Sequence, residues 1–106
     1  MFTNSSQEVS KVSKKKSSKA LKNAKKDSYF ILAEGTAVKN LFELAHSLNK
    51  MSDEEFHHHV TNDRNDFSNW IEAVLEEKTL AKELREMDNR KDIQISILNF
   101  LIKKLK

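Results

Sequence analysis

The 106-residue chain contains no cysteine, no proline and a single glycine, Gly35. Without cysteine there are neither disulfides nor thiolate metal ligands. Without proline, and with one glycine, the chain lacks the frequent breakers that an all-β fold with many tight turns needs. One glycine also rules out a Gly-rich phosphate loop, and no nucleophile elbow is present. Long apolar runs are missing as well. The longest candidates, Tyr29 to Ala33 and Phe100 to Ile102, fall far short of the ~18 residues of a membrane span. Nothing after Met1-Phe2 resembles an export signal, and position 2 is not the glycine that myristoylation requires. A cytoplasmic protein without membrane attachment is the simplest expectation.

What is present divides unevenly along the chain. Residues 1–27 hold eight Lys against Glu8 and Asp27, a net of +6, whereas residues 28–106 hold 11 basic and 14 acidic side chains, a net of −3. The overall +3 therefore belongs to the leader. Six of its residues are Ser, and its few apolar ones (Val9, Val12, Leu21 and two alanines besides Met1 and Phe2) are too scattered to form a face. Such a segment cannot offset an ordering entropy of ~1–2 kcal/mol per residue. The sequence thus predicts a disordered Lys/Ser-rich tail over 1–27 and a small helical domain over 28–106.

The domain reads as mainly α, a compact bundle of about five short helices preceded by a β-hairpin-like segment. Tyr29-Phe30-Ile31-Leu32-Ala33 is the most β-like run, turned by Glu34-Gly35-Thr36 towards Ala37-Val38. Val38, Leu41, Leu44, Ala45 and Leu48 then follow helical spacing, with Glu43 and His46 outside. Ser52-Asp53-Glu54-Glu55 is a capping-box pattern opening a short helix to about Val60. Phe67, Trp70, Ile71, Val74 and Leu75 mark the clearest helix, whose other face carries Ser68, Asn69, Glu72 and Glu76. Thr79 can cap a fourth helix with Leu80, Ala81, Leu84 and Met87 inward, broken at Asp88-Asn89.

The last helix, Arg90 to Leu105, carries an unusually wide apolar arc. At 100° per residue from Ile93, the side chains of Ile97, Leu101, Leu105, Leu98, Ile102 and Ile95 spread to about 200°, and Phe100 extends the other side. Either this helix sits centrally with neighbours on two sides, or Leu98, Ile102 and Leu105 form an exposed stripe for a partner. The need of a 79-residue domain for one central helix favours the first. Lys103, Lys104 and Lys106 complement the negative end of the helix dipole.

Candidate chemistry is sparse. His57-His58-His59 invites a metal-site reading, but consecutive residues on a helix point about 100° apart, and helical ligands need i, i+3 or i, i+4 spacing. Only if the helix passes Val60 would His59 and Asp63 meet it, which leaves His57, His59 and Asp63 as weak metal candidates. The plainer reading packs one His beside Phe56 and Val60 with the others in water. Asn62-Asp63-Arg64-Asn65-Asp66 lacks the pattern of a calcium loop and is better explained by capping from Asn65 or Asp66. His58 with Asp66 is a conceivable catalytic pair, but nothing shapes a pocket around it, so no enzyme and no cofactor are expected.

The leader has the most direct physical consequence. Lys11, Lys14, Lys15, Lys16, Lys19, Lys22, Lys25 and Lys26 lie within sixteen residues without an intervening acid. That density attracts RNA or DNA phosphates without base-reading geometry. The competing reading is a solubilising extension, with the domain as a protein-interaction module, a monomer or small homo-oligomer with an unknown protein partner.

Phe56-His57-His58-His59-Val60 and Asn65-Asp66-Phe67-Ser68-Asn69-Trp70-Ile71, together with the segments FILAEG and LFELAHSLNKMSDEEF, resemble boxes of an uncharacterised domain family of short archaeal and bacterial proteins. The resemblance covers roughly Tyr29 to Leu105. It implies a compact, mostly helical domain of prokaryotic origin, transfers no catalytic or binding residue, and leaves the Lys-rich leader outside.

Overall fold

A computed structural model describes residues 21–105. A 3-10 turn (Lys26–Ser28) leads into the antiparallel hairpin of β1 (Phe30–Ile31) and β2 (Ala37–Val38), paired Phe30 to Val38 and Ile31 to Ala37. Five helices follow: α1 (Leu41–Lys50), α2 (Asp53–His59), α3 (Asp66–Ala73), α4 (Lys78–Arg85) and α5 (Arg90–Leu105). The mainly α expectation holds. The hairpin turns at Gly35, whose φ of +105° lies where a side chain is strained, and Leu32 N–H donates to the Thr36 carbonyl at 2.9 Å across it.

Short polar side chains start four of the helices. Asn40 Oδ1 accepts from Glu43 N–H at 2.8 Å, Ser52 Oγ from Glu55 N–H at 3.1 Å, Asn65 Oδ1 from Ser68 N–H at 3.0 Å, and Asn89 Oδ1 from Asp92 N–H at 3.1 Å. Each satisfies one of the amides that the first helical turn leaves without a backbone partner. α4 is the exception. It begins at Lys78 without a side-chain cap, and Thr79, expected to cap it, lies inside the first turn. The preceding α3 ends at Ala73 rather than at Leu75. There Glu76 takes a φ of 60°, and Glu77 N–H reaches back to the Ile71 carbonyl at 3.3 Å.

The polar face of α3 keeps Asn69 and Glu76 exposed and Glu72 half-buried, as its pattern predicts, while α4 packs along its edge: Asn65 Nδ2 donates to the Leu84 carbonyl at 3.1 Å, and Arg85 bonds Asn69 at 3.3 Å and Glu72 at 2.6 Å. Ser68, on the same side, is fully buried. The other face of α3 supplies Phe67, Trp70 and Ile71 to the core.

α5 runs antiparallel to α1, held by Arg90 Nη1 on the Leu48 carbonyl at 2.7 Å and Gln94 Nε2 on the Ala45 carbonyl at 3.2 Å. Ile93, Ile97 and Leu101 enter the core from it. The fold also draws in residues ahead of position 28. Leu21 and Ala24 pack against the core, Ala24 N–H donates to the Lys39 carbonyl at 2.7 Å, and Asn40 Nδ2 donates to Asn23 at 2.6 Å. Sequence composition alone placed these residues in the tail. They take part because the Lys39 carbonyl, the Asn40 side chain and the apolar core give them partners distant in sequence that no local pattern reveals. No helix among the described residues is long and apolar enough to cross a membrane.

Candidate interaction surface

Of the three consecutive histidines, His57 and His58 are exposed and His59 is buried, as helical geometry requires of neighbours about 100° apart. His59 ends α2 and ties three elements together. Ala33 N–H, at the end of the hairpin's first limb, donates to its Nε2 at 3.1 Å, and its Nδ1 lies 3.0 Å from Asp66 Oδ2 at the start of α3. Because Nε2 accepts, Nδ1 carries the proton and donates to Asp66. Arg64 Nε holds the other oxygen of Asp66 at 3.0 Å while its Nη2 binds the His58 carbonyl. The ring also packs on Phe30 and Phe67, with centroids 5.1 and 5.4 Å away.

This arrangement bears on the chemistry expected from sequence. Asp66 pairs with His59 rather than with His58, and both nitrogens of His59 are engaged within the fold. α2 stops at His59, so the i, i+4 relation of His59 and Asp63 does not form. Asp63 lies in the loop, its N–H donating to Thr61 Oγ1 at 3.1 Å, and His57 lies edge-on to Phe56. The structure therefore does not gather His57, His59 and Asp63, and among the described residues no group of three or more His, Asp or Glu side chains is placed to hold a metal ion. The polar run serves as a connector: Val60 bridges to Asn65, and Thr61 N–H donates to the Arg64 carbonyl at 2.8 Å.

The wide arc of α5 divides in two. Ile93, Ile97 and Leu101, centred near 40° on the helical wheel, are buried, whereas Ile95, Leu98, Ile102 and Leu105, spanning about 120–200°, are 53%, 41%, 55% and 64% exposed. The helix is thus not surrounded by neighbours, contrary to the favoured central-helix reading: α1 and α4 cover one side and leave the other open. Four adjacent large aliphatic side chains on one face form a contiguous patch, unlike the scattered apolar residues normal on a surface. Phe42 of α1, 41% exposed, was not anticipated. Its exposure depends on where the other elements pack around α1, which periodicity within α1 does not encode.

Of the leader's lysines, Lys22, Lys25 and Lys26 are exposed, and Lys11, Lys14, Lys15, Lys16 and Lys19 lie outside the described residues, as does Lys106. At the far end of α5, Lys104 Nζ lies 5.3 Å from the centroid of the Phe100 ring. Lys104 also faces Glu77, whose carboxyl is raised above its usual value by burial, partly offset by that ammonium.

Fold and surface together define a small, mainly α protein with an internally satisfied histidine at its hub and one uncovered helix face. The chain belongs to a family of unknown function, DUF5752, whose model matches residues 3–105. The match includes the Lys-rich leader, which the resemblance read from sequence had left outside. No curated protein and no solved structure matches the chain.

Proposed function

We propose that this protein is a non-catalytic interaction module, with the outer face of α5 as its contact surface. The observation that carries the reading is the exposure of Ile95, Leu98, Ile102 and Leu105 side by side on a helix that gives Ile93, Ile97 and Leu101 to the core. Burying apolar area releases ~25 cal/mol per Å², so a patch of this kind gains most from being covered by another apolar surface. A cytoplasmic setting belongs to the same reading.

The test is a pair of substitutions on the open face, Leu98→Asp and Ile102→Asp. Both should leave the thermal midpoint nearly unchanged, because neither side chain is in the core, and both should abolish the complexes that the wild-type chain forms. Unchanged complexes in a folded variant would refute the assignment of the surface.

A second activity rests on a separate observation, the eight lysines from Lys11 to Lys26 without an intervening acid. We propose that this segment contacts RNA or DNA phosphates by charge, independently of base sequence. Affinity should fall steeply with salt, and neutralising Lys11, Lys14, Lys15, Lys16 and Lys19 together with glutamine should remove most of the salt slope. Equal binding by that variant would exclude the segment as the contact.

A further inference from the structure

We infer that the open face of α5 is covered by a second copy of the same chain, with the two α5 helices antiparallel about a twofold axis near Phe100. The inference rests on the surface reading above and names its occupant. Ile95, Leu98, Ile102 and Leu105 are spaced 3, 4 and 3 residues apart, the heptad spacing that keeps a straight seam along a helix pair. This spacing is a palindrome. With the axis at residue 100, Ile95 of one copy faces Leu105 of the other and Leu98 faces Ile102, so the seam consists of four layers, each an Ile against a Leu. A twofold interface needs such a self-complementary patch, and a foreign partner does not.

Charge selects the antiparallel orientation. Lys91 is exposed and lies on the same face, near 160° on the wheel, one heptad before Leu98. A parallel pair would place the two Lys91 ammonium groups against each other in the seam and would bring Lys103 and Lys104 of both copies to the same end. An antiparallel pair carries each Lys91 just past Leu105 of the other copy, beside the carbonyls that end its α5, where the helix dipole favours a cation. It also separates the two Lys103-Lys104 pairs. The chain's own leader is a poorer occupant: residues 1–20 offer only Met1, Phe2, Val9 and Val12 as large apolar side chains, which do not match a four-residue seam. Four half-exposed aliphatic side chains on one helix offer far less than the ~800 Å² per partner of a standard stable interface. Association is therefore weak and concentration-dependent.

Two experiments on the full chain test this. Sedimentation equilibrium should show a monomer–dimer equilibrium between about 10 µM and 1 mM, and Leu98→Asp or Ile102→Asp should weaken it by about 100-fold or more while circular dichroism remains that of the wild type. Since the chain contains no cysteine, Leu98→Cys and Ile102→Cys can be oxidised separately and as a mixture. Cross-linking in the mixture well above that of either variant alone is the expected result. Preferential cross-linking of Leu98→Cys to itself would overturn the antiparallel arrangement. A strict monomer at 1 mM would overturn the second copy as occupant, while the effect of the same two aspartates on complexes with other proteins would still decide the surface reading on its own terms.

Discussion

Replacing His59 with alanine should destabilise the protein by releasing the hairpin from α2 and α3. The substitution removes the acceptor of the part-buried Ala33 N–H bond, at a cost of ~1 kcal/mol, because Ala33 itself is exposed and water can take the place of the ring nitrogen. It removes the donor to Asp66, worth ~1 kcal/mol more because Arg64 still holds that carboxylate. It also opens space between Phe30 and Phe67, where lost ring contacts add ~1–2 kcal/mol. These terms share a site and do not add fully, so the expected total is about 2–4 kcal/mol. His59→Phe retains most of the packing and should cost only the hydrogen-bond part, about 1–2 kcal/mol. Urea unfolding followed by the fluorescence of Trp70 is the suitable assay. Trp70 is the only tryptophan, packs edge-on to Phe30 at 5.9 Å and donates to the Ser28 carbonyl at 2.7 Å, so it reports directly on docking of the hairpin. Amide exchange adds a local readout, since Ala33 should lose protection in His59→Phe well beyond the loss at Leu44 or Ile97. A cost below about 1 kcal/mol for His59→Ala, or unchanged Ala33 protection in His59→Phe, would show that the histidine does not anchor the hairpin.

Other substitutions probe separate parts of the fold. Gly35→Ala should cost about 1–2 kcal/mol by thermal unfolding, through backbone strain alone, because the φ is +105° and nothing lies within 4 Å of an added Cβ. Asn65→Ala should cost about 2–3 kcal/mol in urea unfolding, since it removes both the cap of α3 and the buried bond to Leu84. The carboxyl of Glu77 is raised from 4.5 mainly by burial, so the folded state favours its protonated form. The penalty is absent below the unfolded value and grows as pH rises through the folded one. Glu77→Gln should therefore remove a loss of stability on going upward from about pH 4.5, read by unfolding midpoints across that range. The effect should be modest, because the group is partly solvated and Lys104 opposes the shift.

Much of the fold was legible because its signals are local. The 3.6-residue period marked Leu41, Leu44, Ala45 and Leu48, the hydroxyl of Ser52 and the amide of Asn65 marked helix starts, and the one glycine marked the hairpin turn. Each depends on residues within one or two turns of each other. The same kind of signal misled at Thr79, whose hydroxyl suits a cap that the backbone does not use, because the turn at Glu76 starts α4 earlier. Polarity is the only local signal at Ser68 and points it to solvent, whereas tertiary packing around α3 buries it.

The sequence by itself determined a mainly helical chain with a hairpin at its front, a strongly basic leader and an apolar arc on α5 too wide for one contact. It also restricted any one inward direction to a single member of the His triplet, since adjacent helical side chains diverge. Tertiary structure chose which histidine turned inward and gave both its nitrogens partners 26 and 7 residues away. It likewise decided which part of the α5 arc became core, by placing α1 and α4 on one side only. Periodicity fixes the angular position of a side chain on its own helix, whereas burial depends on where the other helices lie. That is why the open face of α5, and with it the proposed contact surface, emerges only from the packed structure.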